Sequence, residues 1–124
     1  MSVRSFVRDQ LGCGCPETVF DEIRIYSAPA GFGTRLPLRL LEIGGRLMIL
    51  IVGPDQDTIS AGLIRQLLAD GVALRDERGF NRFRLVVASL SDPELLLHRF
   101  TGITCPDERA HLHVVSARDL PDLA

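Results

Sequence analysis

The chain reads as α+β: a single-domain mixed β-sheet of four to five strands, a β-hairpin followed by a β-α-β-α-β half, with helices packed on it and a short N-terminal helix-loop-helix. Three observations predict this. Gly44-Gly45 stands between two apolar runs, the signature of a hairpin. Leu47–Val52 is apolar on both alternating faces, as a strand covered on both sides must be. Beyond it, helical and strand patterns alternate, which favours parallel pairing.

Each element follows in order. Val3, Phe6, Val7 and Leu11 recur at helical spacing, and Gly12 suits a helix end. After Cys13-Gly14-Cys15, Pro16 fits a first helical position and Glu17 the positive end of its dipole, with Val19, Phe20 and Ile23 on one face. Residues 1–22 thus form a helical segment that carries the cysteine loop. Ile23–Ala28 is the first expected strand, and a Gly/Pro loop runs to Arg35. Leu36–Ile43 and Arg46–Val52 are the hairpin arms, joined by a two-residue turn.

Ile59, Leu63, Ile64, Leu67, Leu68 and Val72 form the longest helical stripe, which Gly71 ends or weakens. Arg82–Ser89 is a strand with Phe83, Leu85 and Val87 on one face. Ser91-Asp92-Pro93-Glu94 opens a helix as a capping box, with Leu96, Leu97 and Phe100 following. His111–Ala117 is the last strand, and residues 119–124 are expected to be a loose tail.

The 124 residues are 46% hydrophobic and 24% charged, so disorder, collagen and coiled coil are excluded. No linker or solenoid repeat divides the chain. All fourteen basic residues are arginine, and sixteen acids bring the net charge to -2. The molecule therefore lacks a whole-body basic field for nucleic acid or an anionic membrane. The stretch Met1–Gln10 has no apolar signal-peptide core, and no run approaches the ~20 residues of a membrane span. Three cysteines cannot all pair, so a reducing cytoplasm is the expected home.

Cys13-Gly14-Cys15-Pro16 is the main chemical signal. Glycine lets the chain bend so that both sulfurs face one way, and Cys15 falls where a helix start favours a thiolate. A Cys-x-Cys disulfide closes a small strained ring, which suits exchange. Cys105-Pro106-Asp107-Glu108 repeats the cysteine–proline–acid pattern, and His111 and His113 lie two apart on a strand, hence on one face. Cys13, Cys15, Cys105, His111 and His113 make a soft donor set that suits zinc or iron, or copper(I). The plainer readings are cysteines as small core residues and histidines as satisfied polar groups.

Arg78, Arg82 and Arg84, interleaved with Phe80 and Phe83, form a candidate patch for an anion or a partner. Arg78-Gly79-Phe80 echoes an aromatic RNA-binding motif, but Asn81 and Arg82 break it, so nucleic acid is not expected. Gly53-Pro54-Asp55-Gln56-Asp57 lies where a strand feeds a helix, yet no glycine fingerprint or Walker lysine is present; turn and cap roles are expected. Phe32 could tip a binding loop, and His98 should face solvent. No serine sits in a nucleophile elbow.

The reading that emerges is a small cytoplasmic accessory protein, not expected to be an enzyme. It binds a soft metal or performs thiol redox chemistry through the Cys-Gly-Cys-Pro loop. The alternative is a non-catalytic interaction domain, a homodimer, with structural cysteines.

Overall fold

Six consecutive apolar residues, Leu47–Val52, become the centre of the sheet. The computed structural model describes residues 2–12, 14, 16–27, 38–55 and 59–122. Five strands, β1 (Ile23–Ser27), β2 (Leu38–Ile43), β3 (Leu47–Asp55), β4 (Arg82–Ser89) and β5 (Ala110–Ser116), form one sheet in that spatial order. β1, β2 and β3 are an antiparallel meander. β3, β4 and β5 run parallel. The expected mixed α+β sheet is what the chain forms.

Parallel neighbours need crossovers. Helix α2 (Ala61–Arg78) links β3 to β4, and α3 (Pro93–Arg99) links β4 to β5. Both crossovers step across the sheet in the same direction. A right-handed crossing then places both helices on one face. There Ile64, Leu67 and Leu68 of α2 and Leu96 of α3 pack with Met48, Leu50, Val52, Phe83, Leu85 and Val87.

The opposite face is closed by the N-terminal arm. Helix α1 (Val3–Ser5) widens into a π-helical turn over Phe6–Gln10, and a 3-10 turn follows at Glu17–Asp21. Val3, Phe6, Val7, Leu11 and Val19 cover Leu41, Ile43, Leu47, Ile49, Ile51 and Val86. Phe6 and Val7 are fully buried, and each such side chain contributes about 1.5–3 kcal/mol.

Four local expectations are corrected. The hairpin turn has three residues, Gly44-Gly45-Arg46, because Ile43 stands opposite Leu47. Gly44 and Gly45 take φ of +60° and +65°, and the Arg46 carbonyl is drawn off to the start of β4, where it accepts from Asn81 and Arg82 N–H at 2.9 and 3.0 Å. Gly71 does not end α2; its bare Cα lets the Phe83 ring pack directly on the helix. The helix runs on through Arg75–Arg78 to Gly79, which caps it at φ +72°. At the starts, Ser60 caps α2 and Asp92, not a Ser91–Glu94 box, caps α3 by accepting from Glu94 and Leu95 N–H. The tail is held as far as Pro121, which is buried, with Leu120 packed on the N-terminal-arm cluster.

The loop at 28–37, Gln56 and Asp57 lie outside the described residues, and Asp55 closes β3. No helix among the described residues is long and apolar enough to cross a membrane.

Candidate functional site

The Arg46 carbonyl bonds tie the hairpin turn to the N-terminal end of β4 and so bring Arg46 and Arg82 together. The 3-10 turn is fixed beside them. Gly44 N–H donates to the Glu22 carbonyl at 2.8 Å, and a Cβ at Gly44 would lie 2.7 Å from the Val19 backbone oxygen. Only glycine allows that approach. These contacts outline a cavity of about 260 Å³, lined by Gly14, Pro16, Val19, Ile43, Arg46, Leu47, Asn81 and Arg82. Its floor is aliphatic and its rim carries two arginines. It opens at the N-terminal end of the parallel strands, opposite to the carboxyl-end crevice that open α/β sheets commonly use.

Five arginines have an acid partner among the described residues. Arg4 and Arg8 reach Glu17, Arg24 reaches Glu22, Arg75 reaches Asp107, and Arg78 reaches Glu42 at 2.5 Å. Among the described residues, Arg46, Arg82 and Arg84 make no such ion pair. Arg84 follows Arg82 on the same face of β4, 8% exposed, with its Nε bonded to nothing described. Burial, then the charge of Arg82, lowers its pKa.

The Arg84 Nη1 lies 2.9 Å from His113 Nε2. An arginine only donates, so Nε2 accepts and the ring proton sits on Nδ1. Burial first, then the charges of Arg84 and His111, push the His113 pKa down to about 4. His111 stands opposite Arg84 in register. Its pKa is lowered by burial and then by Arg84 and Arg82. The strip from Arg82 to His113 is thus cationic at the arginines and neutral at the imidazoles.

His111 and His113 share a face, as their spacing predicts. Cys105 does not join them. It is half-buried, in no disulfide, and packs against the helix-bearing face of the sheet. The alternation of β5 puts Ala110, Leu112 and Val114 on that side and Val115 on the other, so the imidazoles point away from the thiol. Among the described residues no three of His, Cys, Asp and Glu gather as a metal would need. Cys13 and Cys15 lie outside the described residues; Gly14 and Pro16, which flank Cys15 in sequence, line the cavity.

Of the arginine patch, Arg82 and Arg84 share a face as expected. Arg78 is across the sheet on α2, bonded to Glu42 and stacked over Tyr26 at 5.8 Å. Arg46 takes its place. Nothing in the local sequence marks Arg46; only the parallel register, Leu47 opposite Arg82, makes it a neighbour. His98 is exposed, as expected.

Comparison with protein-family models, with curated proteins and with solved structures finds no match. The fold and site define an α+β domain with an arginine-rimmed cavity.

Proposed function

We propose that the chain is a thiol–disulfide exchange protein in which Cys13 and Cys15 are the exchanging pair. One observation supports this reading above the others. The residues flanking Cys15 line a cavity shared with Arg46 and Arg82, two guanidinium groups with no carboxylate partner among the described residues. Guanidinium charge favours thiolate over thiol. A strained Cys-x-Cys ring and a favoured thiolate both stabilise the reduced form, so the disulfide form is the oxidant. It takes two electrons from thiol substrates and is restored by an external disulfide. The arginine bond to His113 Nε2 occupies a would-be ligand atom. In a reducing cytoplasm the pair rests as thiols and is oxidised transiently.

Alkylation by iodoacetamide across pH tests the reading on Cys13→Ser and Cys15→Ser separately. At least one remaining cysteine is expected to react with a midpoint well below the ordinary thiol value of about 8.5. Arg46→Gln/Arg82→Gln should raise that midpoint. Ordinary midpoints in both single variants would overturn the proposal, as would stoichiometric metal held by the purified protein and lost in Cys13→Ser/Cys15→Ser.

A further inference from the structure

We infer that the cavity rimmed by Arg46 and Arg82 selects small thiols that carry an acid group, a carboxylate or phosphate on a short carbon stem. The chemistry rests on the exchange reading above; the recognition does not.

The chain carries a net charge of -2, so the molecule as a whole does not draw in anions. The carboxylates of Glu17, Glu22, Glu42 and Asp107 are each engaged by another arginine. Arg46, Arg82 and Arg84 are left as a run of three cations without an acid among the described residues. A guanidinium as buried as Arg84 is costly unless an anion compensates it. Its Nε is buried and without a described partner. Arg84 sits too deep to be the first contact, but its charge adds to the field at the rim.

The cavity's shape agrees with its charge. Val19, Ile43 and Leu47 give an apolar floor beneath the arginines. A short aliphatic stem can rest there while its acid meets the rim. The volume, about 260 Å³, lies below the range of about 300–1,000 Å³ common for drug-sized ligands. It suits a few-carbon acid better than a nucleotide. A planar guanidinium grips carboxylate and phosphate through paired N–H donors, which lysine could not do.

In the reaction, one substrate thiolate attacks a sulfur of the Cys13–Cys15 disulfide. The S–S bond breaks, a mixed disulfide forms, and the released cysteine takes a proton. A second substrate thiolate attacks the substrate sulfur of the mixed disulfide, which frees the other cysteine and leaves the small-molecule disulfide. Two thiols lose two electrons, the protein gains them, and the two thiol protons end on the two cysteines.

The test uses oxidised protein and three monothiols of different charge: 3-mercaptopropionate, 2-mercaptoethanol and cysteamine. Reduction rates are compared between wild type and Arg46→Gln/Arg82→Gln. All three rates fall together to the extent that the arginines stabilise the leaving thiolate. The inference is read from ratios, in which the thiols' own reactivities cancel. The rate with 3-mercaptopropionate relative to 2-mercaptoethanol should drop about fivefold to tenfold in the variant, the worth of one or two exposed charge-assisted contacts. The cysteamine ratio should rise. A uniform change across the three thiols overturns the inference and leaves the exchange reading standing. No reduction by any thiol overturns the exchange reading instead. Recognition is then read by NMR titration of Cys13→Ser/Cys15→Ser with 3-mercaptopropionate. Shifts at the Asn81 and Arg82 amides, absent with 2-mercaptoethanol, support the inference; their absence overturns it.

Discussion

Arg75 and Asp107 meet through two parallel hydrogen bonds, Nη1 to Oδ1 at 3.0 Å and Nη2 to Oδ2 at 2.5 Å. They join the last turn of α2 to the loop before β5, across 32 residues of chain. Arg75 is 1% exposed at its side chain, so the fork holds an otherwise buried charge. It also fixes the Cys105 loop, since Asp107 accepts from the Arg109 N–H at 2.8 Å as well.

The Arg75 fork, with the Arg109 amide behind it, holds the Asp107 carboxyl at about 2, below its ordinary value near 3.9. The unfolded chain therefore binds the proton first as pH falls. The stabilisation is complete above about pH 4 and is lost as pH drops toward 2. Urea midpoints measured from pH 5 down to pH 2 should fall in the wild type. Asp107→Asn should be less stable at pH 5 and show a shallower decline. Parallel declines in the two proteins would contradict this account. Arg75→Lys should not restore the wild-type midpoint, because an ammonium lacks the fork.

Gly71 and Phe83 make a second sharp test. A Cβ at Gly71 would lie 2.1 Å from the Phe83 ring. Alanine is the better helix former by about 1 kcal/mol, yet Gly71→Ala should destabilise by about 1–3 kcal/mol through overpacking. Gly62→Ala, on the same helix but where a Cβ would meet only Ser60 Oγ at 3.9 Å, should be neutral or mildly stabilising. Phe83→Leu in the Gly71→Ala background should recover part of the loss. Chemical denaturation of the four proteins decides it, and a stabilised Gly71→Ala would refute the packing argument.

The hairpin glycines should differ although their φ angles nearly match. Gly45 faces open space, whereas Gly44 abuts Val19. Gly45→Ala should cost about 1–2 kcal/mol, the strain of a left-handed residue. Gly44→Ala adds a backbone collision and should cost more. It should also displace the 3-10 turn and reshape the cavity, seen as amide shifts at Val19 and Asn81. Equal losses would show that the Val19 contact is dispensable.

The parts of the fold legible in sequence are those where one periodicity dominates. Leu47–Val52 has no polar face to hide, so it had to be central. Phe83, Leu85 and Val87 alternate with no competing pattern, and they do face one cluster. The misread places are those where a residue answers to something distant in the chain. Gly71 looks like a helix breaker until Phe83 is known to need its space. Gly44-Gly45 looks like a complete turn until β4 takes the Arg46 carbonyl. The site follows the same rule. The His111/His113 pairing is local and was legible, while the separation of Cys105 from it depends on which face of the sheet the preceding loop joins. Arg46 becomes part of a site only through parallel pairing, which no local spacing encodes.

The two imidazoles supply a pH test of the strip. His113 should stay neutral until about pH 4, held down by burial first and by Arg84 second. Its ordinary value is near 6.5, so the unfolded state takes up the proton earlier. Stability is therefore expected to decline as pH falls from about 6.5 toward 4. NMR titration of the ring carbons should show His113 titrating well below the ordinary histidine value. In Arg84→Met the His113 midpoint should climb part of the way back. A wild-type His113 midpoint near 6.5 would contradict the buried, arginine-bonded geometry.

The arm that seals one face of the sheet has a consequence for the order of assembly. Phe6 and Val7 leave the ribosome before any strand they cover, and Val86 and Val115 of their cluster come among the last. During synthesis the arm's greasy stripe gains β2 and β3 first and must wait for Val86 and Val115 before its seat is complete. A nascent chain stalled before β4 would still have that stripe without its complete seat, and there a chaperone would find its first handhold.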